Sequence, residues 1–254
     1  MQAKKIDQYI RFGAELRYLQ DSQEGKKIHG SGVTLGVSKR LIKRLDEVKF
    51  NITKRTSAYK ELGKFISNME KMPKNSNLNK EDAKKLTDII EDLRKTLHAE
   101  ADSKLAYIVE EKRMDVDKLI NNISGLFGKD VYNLIPEIAK YDFSEAGKCI
   151  AFELPTAAAF HILRGTESVL REYYCSIIKI NRCKPLLWGP MTSGLKSRTK
   201  NRPPKPLMDN LDNIKDNFRN PTAHPEKRYN IDEVQDLFPI CIDVVNRMAR
   251  AISS

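Results

Sequence analysis

The segment Arg219-Asn220-Pro221-Thr222-Ala223-His224-Pro225 sets a guanidinium and an imidazole in Arg-x4-His spacing. Residues of these two types suit phosphodiester chemistry. The planar guanidinium binds two phosphate oxygens at once and stabilises charge growing at phosphorus. The imidazole, with an ordinary pKa of about 6.5, moves a proton near neutral pH. Such a pair requires no metal when the substrate carries its own nucleophile, as RNA does in its 2′-hydroxyl and DNA does not. Taken alone the spacing is a weak signal, and a capping or surface histidine is its ordinary explanation.

Several elements must position this pair. Asp209 to Phe218 reads as a helix with Leu211, Ile214 and Phe218 on one side. Pro221 disfavours helical geometry at Asn220, so that helix is expected to end there, and Pro225 restrains His224. Asn230 reads as an N-cap with Glu233 as its capping partner. The last helix carries Val234, Leu237, Phe238, Cys241, Val244, Val245, Met248 and Ile252 inward, with Pro239 unexplained inside the pattern. Upstream, Pro155 and Thr156 open another helix, as proline does well in a first turn. Phe160, Leu163, Leu170 and Tyr174 form its apolar stripe, with Glu167 in the middle of it. Ala157, His161, Arg164, Ser168 and Arg171 fall on an adjacent, more polar face. An acid on a buried face needs a partner. Glu167 is therefore either half of a structural salt bridge or an acid that positions a basic catalytic group.

Between these helices lies a basic run. Lys179, Arg182, Lys184, Lys196, Arg198, Lys200, Arg202 and Lys205 occur between Tyr173 and Met208 with no acid among them. Five prolines and two glycines share the span and predict an extended loop. That loop either tracks a phosphate backbone, with Trp188 stacking on a base, or is a solvated connector.

The chain has 254 residues, enough for one large domain or two small ones. Its 45 Lys and Arg against 34 Asp and Glu leave a formal charge of +11, which favours a polyanionic partner. No apolar run reaches the roughly 18 residues of a membrane span, and the first residues are too polar for a signal peptide, so a cytoplasmic protein without membrane contact is expected. Cys149, Cys175, Cys183 and Cys241 are scattered, without a C-x-x-C pair or histidines at zinc spacing. They are expected to be reduced and mostly buried, with no metal and no other cofactor.

Helical periodicity dominates the N-terminal half. Leu41, Leu45, Val48, Ile52, Tyr59, Leu62, Ile66 and Met69 predict one long helix from Lys39 to Glu70. Ala83, Leu86, Ile90, Leu93 and Leu97 predict a second, antiparallel to it, giving a long hairpin over about 39–99. Gln20 to Gly32 reads as a mobile loop. Lys104 to Glu110 is the single strand candidate. A helix is expected from Asp115 to about Phe127, and a turn at Tyr141 to Ser144 with a new helix from Glu145. The fold class is all-α with at most one short β element, divided near residue 130 into regions 1–130 and 131–254.

Three blocks together resemble the HEPN superfamily of small α-helical domains. These are Glu145 to Ala151, then Thr156-Ala157 with Phe160 to Glu167, and then Phe218 to Pro225 followed by Tyr229 and a final amphipathic helix. The resemblance covers about residues 130–254 and implies a four- or five-helix domain. It implies that Arg219 and His224 form the family's active motif, with Asn220 as the polar residue after the arginine and Glu167 facing the motif. It further implies a metal-independent endoribonuclease acting as a toxin or antiviral defence effector. A homodimer forming a composite cleft follows, as does an antitoxin or defence-system partner. RNA contacts are then expected from Arg164, Lys196, Arg198, Lys200, Arg202 and Lys205. The alternative is a HEPN-type module that binds RNA or protein without catalysis.

Overall fold

Capping and proline placement punctuate the chain into helices. The computed structural model describes residues 6–105, 107–179, 187–222 and 227–253, and among these the fold is all-α. The chain divides into two compact units, Met1–Tyr107 and Ile108–Ser254. This boundary precedes the expected one near residue 130. Leu119, Ile123 and Phe127 carry the apolar surface of the intervening stretch, and all three are buried in the C-terminal core.

The N-terminal unit holds α1 (Ile6–Gln20), α2 (Thr34–Val48), α3 (Ser57–Lys71) and α4 (Lys80–Asp102). The single helix expected over 39–70 is therefore two helices. The apolar spacing continues across the break, but Lys49 adopts a left-handed conformation (φ 60°) and Thr56 accepts from the Tyr59 amide as an N-cap. The α4 pattern holds as read, with Asn79 capping its start. Gln20 to Gly32 is not a free loop. Ile28 is fully buried, the Gly25 amide donates to the Leu78 carbonyl at 2.9 Å, and the Leu78 amide donates to that of Lys26 at 2.8 Å. Glu15, buried on α1, is gripped by Arg40 and Arg44 of α2 at 3.0 and 2.8 Å.

Glu100 is the other buried acid of this unit. Its carboxylate accepts from the Thr53 amide at 2.7 Å and the Thr53 hydroxyl at 2.8 Å, tying the α2–α3 connection to α4. Burial raises its pKa, but these hydrogen bonds and Lys104 outweigh burial and hold it below the ordinary carboxylate value. Among the described residues of Lys104 to Glu110 there is no strand. Leu105, Tyr107 and Ile108 are exposed there, with no neighbouring strand to pair with among the described residues.

The C-terminal unit contains α5 (Val116–Asn121), a 3-10 turn (Ile123–Leu126), α6 (Val131–Leu134), α7 (Glu137–Ala151), α8 (Pro155–Ile178), α9 (Trp188–Lys196), α10 (Lys205–Ile214), a π-turn (Lys215–Arg219), α11 (Asn220–Thr222) and α12 (Ile231–Ser253). The helix expected over 115–127 stops at Asn121. The turn expected at 141–144 is absent, and α7 runs straight through it, because Phe143, Ala146 and Ile150 continue the buried face begun by Ala139. Pro155 does sit in the first turn of α8. Helices α7, α8 and α12 form the centre of the core, where Phe143 and Phe238 stack at 6.1 Å. Pro239 lies on the exposed side of α12. No described helix is long and apolar enough to cross a membrane.

Cys241 is buried and its thiol is pushed up to about 12 by burial, against a small opposing effect of the Thr166 hydrogen bond. Cys149 and Cys175 are half-buried and free, while Cys183 lies outside the described residues.

Two glycines set how closely the helices approach. A Cβ on Gly165 would lie 3.2 Å from Asp142 Cβ and from the Phe143 ring, and one on Gly147 only 2.3 Å from the Leu119 carbonyl oxygen. Backbone cannot swing aside as a side chain does, so Gly147→Ala forces α5 off α7. Urea denaturation is expected to show a loss of about 1–3 kcal/mol for this change. In the N-terminal unit, the depressed Glu100 pKa contributes stability above the ordinary carboxylate range, and that stability is lost as pH falls through the folded value. Glu100→Gln should therefore be less stable at neutral pH and show a flatter stability profile than wild type below about pH 5.

Candidate functional site

Helix α8 presents a polar stripe on its outer side, and two other elements border it. His161, Arg164, Glu167 and Arg171 recur at steps of three and four along the stripe, which is one helix face. Phe160 also stands on this face, 55% exposed, so it is not part of the buried stripe expected of it. The buried face is Ala158, Ala159, Ile162, Leu163, Thr166, Val169, Leu170 and Tyr173. Glu167 lies at its margin rather than its centre. Sequence spacing alone admits either face, and it is the small Ala158, Ala159 and Gly165 that draw the neighbouring helices to this side.

On one edge of the stripe stands Arg219. Its Nε lies 3.9 Å from Glu167 Oε2, while Arg171 Nη2 donates to Glu167 Oε1 at 2.6 Å. Glu167 thus meets two guanidiniums, one from its own helix and one from the motif. Arg219 reaches this place because the chain does not break before Asn220. Helix α10 continues through the π-turn and α11 as far as Thr222. Within the π-turn the Asn220 amide donates to the Lys215 carbonyl, so Pro221, which has no amide hydrogen, follows a turn already opened beyond α geometry. Proline was tolerated here by widening the helix, not by ending it. Asn220 is exposed on the last turn.

His224 and its neighbours 223–226 lie outside the described residues. The chain on either side of them is clamped. The Tyr229 hydroxyl donates to the Phe218 carbonyl at 2.9 Å and lies 2.6 Å from the Thr222 hydroxyl, and the Tyr229 amide donates to Thr156 Oγ1 of α8 at 3.2 Å. The Phe218 and Tyr229 rings stack at 6.5 Å. Burial raises the Tyr229 pKa despite the opposing Thr222 hydrogen bond, so the phenol keeps its proton as a donor at neutral pH. Downstream, Asn230 and Glu233 form the expected capping box, each side chain bonding the other's amide at 2.8 Å. Lys227, followed by that backbone bond, holds the Glu233 pKa below its usual value.

On the other edge of the stripe stands Asp142 of α7, which sequence reasoning did not single out. It is fully buried, yet it accepts from Arg164 Nε at 2.7 and 2.9 Å and lies 2.9 Å from His161 Nδ1. These hydrogen bonds hold the Arg164 guanidinium above its ordinary pKa, against the opposing effect of burial. One signal was available in the sequence: an acid among Ala139, Phe143 and Ala146 on the inner face of α7.

The basic run is only in part the extended loop expected: Arg198, Lys200 and Arg202 lie on a stretch without helix, Lys196 ends α9 and Lys205 opens α10, while Arg182 and Lys184 lie outside the described residues. Trp188 opens α9, is 1% exposed and donates from Nε1 to the Leu211 carbonyl at 3.2 Å, so it cannot stack on a base. Lys196 pairs with Asp212, and Lys205 with Asp209 at 2.6 Å. The acid-free stretch ends one residue before Asp209, and helix α10 folds its acids back onto those lysines. Lys200 and Arg202 remain exposed, and Arg198 is half-buried with its Nε unbonded among the described atoms. No cluster of three His, Cys, Asp or Glu side chains among the described residues is placed to hold a metal ion.

No protein-family model, curated protein or solved structure matches the chain.

The clamp around the motif rests on Tyr229. Tyr229→Phe removes its bond to Phe218 and leaves the buried Thr222 hydroxyl with one partner fewer. A loss of about 1–2 kcal/mol is expected by thermal or urea unfolding.

Proposed function

We propose that the C-terminal unit is a metal-independent endoribonuclease of the HEPN type. The observation that carries this reading is the meeting of Arg219 with Glu167 on the exposed side of α8, at a π-turn of the kind often found at functional sites. Glu167 orients a guanidinium that remains one-third exposed, and the Tyr229 clamp fixes both ends of the segment bearing His224.

In this mechanism His224 takes the proton from a 2′-hydroxyl, and the freed oxygen attacks the adjacent phosphorus. The phosphorus–O5′ bond breaks, and the leaving oxygen receives a proton. The products are a 2′,3′-cyclic phosphate and a 5′-hydroxyl. Arg219 stabilises the charge that grows on the phosphoryl oxygens, while Asn220 and Glu167 hold the two groups in place. Lys200 and Arg202, exposed and without an acid partner among the described residues, contact the strand, with Lys196, Lys205 and Arg198 in support. A homodimer brings two motifs into one cleft. A protein partner restrains the enzyme in its role as toxin or defence effector.

The test is incubation of purified protein with RNA in EDTA. Cleavage to cyclic-phosphate ends is expected, reduced at least a hundredfold in Arg219→Ala and in His224→Ala. No cleavage, or equal cleavage by both variants, overturns the reading. The neutralisation of Lys196 and Lys205 by acids of α10 favours a second reading, a binding module without catalysis, for which RNA affinity is unchanged by His224→Ala and no product forms.

A further inference from the structure

A fully buried carboxylate that holds two solvent-facing cationic or polar groups does more than satisfy itself. Asp142 occupies the Arg164 guanidinium through Nε and Nη2, leaving Nη1 without a protein partner among the described residues. It also engages His161, whose Nδ1–H donates to the carboxylate, which leaves Nε2 without a protein partner among the described residues. A free donor, the Arg164 Nη1 edge, and a free acceptor, His161 Nε2, are thus one turn apart on α8. Both are pre-oriented, so little side-chain freedom is lost when they bind a third group.

Exposed rings flank them. Tyr141 meets the His161 ring edge-on at 6.3 Å and is 55% exposed, as is Phe160. Phe160 stands one turn before Arg164 on the same face. Along the stripe the guanidiniums of Arg164, Arg171 and Arg219 outnumber the carboxylates of Asp142 and Glu167. A fixed donor edge, a net positive stripe and aromatic faces beside them are what a single nucleic-acid strand requires: a donor for phosphate, rings for bases.

We propose that Asp142, His161, Arg164, Tyr141 and Phe160 form a binding step for single-stranded RNA on the outer face of α7 and α8. One phosphate lies on the free edge of Arg164, a ribose hydroxyl donates to His161 Nε2, and bases stack on Phe160 and Tyr141. Asp142 is a positioning residue that never meets the strand. This assignment rests on RNA being the substrate and gives its strand a place on α8, beside Arg219, in addition to the contacts of Lys200 and Arg202.

The test uses the full chain carrying His224→Ala, with fluorescence anisotropy on a labelled 12-nucleotide single strand. Arg164→Gln and Phe160→Ala should each weaken binding about tenfold. Arg164→Gln should also flatten the dependence of log affinity on log salt by about 0.7, whereas Phe160→Ala leaves that slope unchanged. Arg164→Lys should keep the slope and lose part of the affinity, and Lys60→Gln on α3 should change neither.

Unaltered binding by both Arg164→Gln and Phe160→Ala overturns the proposal, even if the enzyme cleaves RNA. Absence of any binding overturns it too. If these effects appear while no cleavage is found, the nuclease reading falls and this surface stands. Displacement of the strand by a mononucleotide at equal nucleotide concentration would assign the face to a free nucleotide. A dimer that dissociates on Phe160→Ala, with RNA affinity intact, would assign it to a second copy. Either result overturns the strand assignment.

Discussion

The contact of α7 with α8 at Gly165 governs the rest of the C-terminal unit. Without a side chain at that position, Asp142 and Phe143 press against the α8 backbone. Phe143 completes the stack with Phe238 of α12, so the same approach joins three helices. It also drives Asp142 out of water. A carboxylate in that position is tolerated only with partners, and α8 provides them in His161 and Arg164. The geometry of the outer face is thus a consequence of tight packing beneath it. Dense interiors transmit such constraints, because they have no slack in which to absorb them.

Electrostatics in this unit are arranged by pairs rather than by regions. A linear count finds a long stretch of positive charge before Asp209. In three dimensions Asp209 and Asp212 lie beside Lys205 and Lys196, and Asp232 and Asp236 beside Arg113. Exposed pairs of this kind add little to stability, but they shape the field that a charged ligand meets. Surplus positive charge persists where acids are missing, at Lys200 and Arg202, and along α8 where two acids face three guanidiniums.

The helical character of the chain and several of its ends were legible in the sequence. The α4 face, the proline opening α8, and the Asn230–Glu233 capping box follow from local rules and are found in place. Features decided by tertiary contact were not legible. The spacing of Leu41 to Met69 fits one helix or two, and the difference lies in a left-handed Lys49 and a capping Thr56. Pro221 reads locally as a stop, yet a π-turn carries the helix past it. Phe160 has the residue type of a core position and is exposed, because the closest helix approaches the side where alanines and glycine stand. Of the candidate site, Glu167 and Arg219 were found by their types and are neighbours, whereas Asp142 was hidden by its apolar surroundings. Trp188 was assigned to the surface because its segment is rich in proline and charge. Its indole instead fills the space between α9 and α10.

The π-turn at Lys215–Arg219 has an arithmetic consequence. It holds one residue more than the α-helical turn it replaces, and each residue advances an α-helix by about 100°. The wider turn absorbs that extra residue within itself, so the helix beyond it keeps nearly the register it would have without it. Loss of a single codon there would restore an unbroken helix with Leu211 and Ile214 still buried before it, and only the residues inside the turn, Arg219 among them, would be re-aimed. The fold would survive a change that dismantles the pair. One inserted residue thus separates what keeps the domain folded from what aims Arg219.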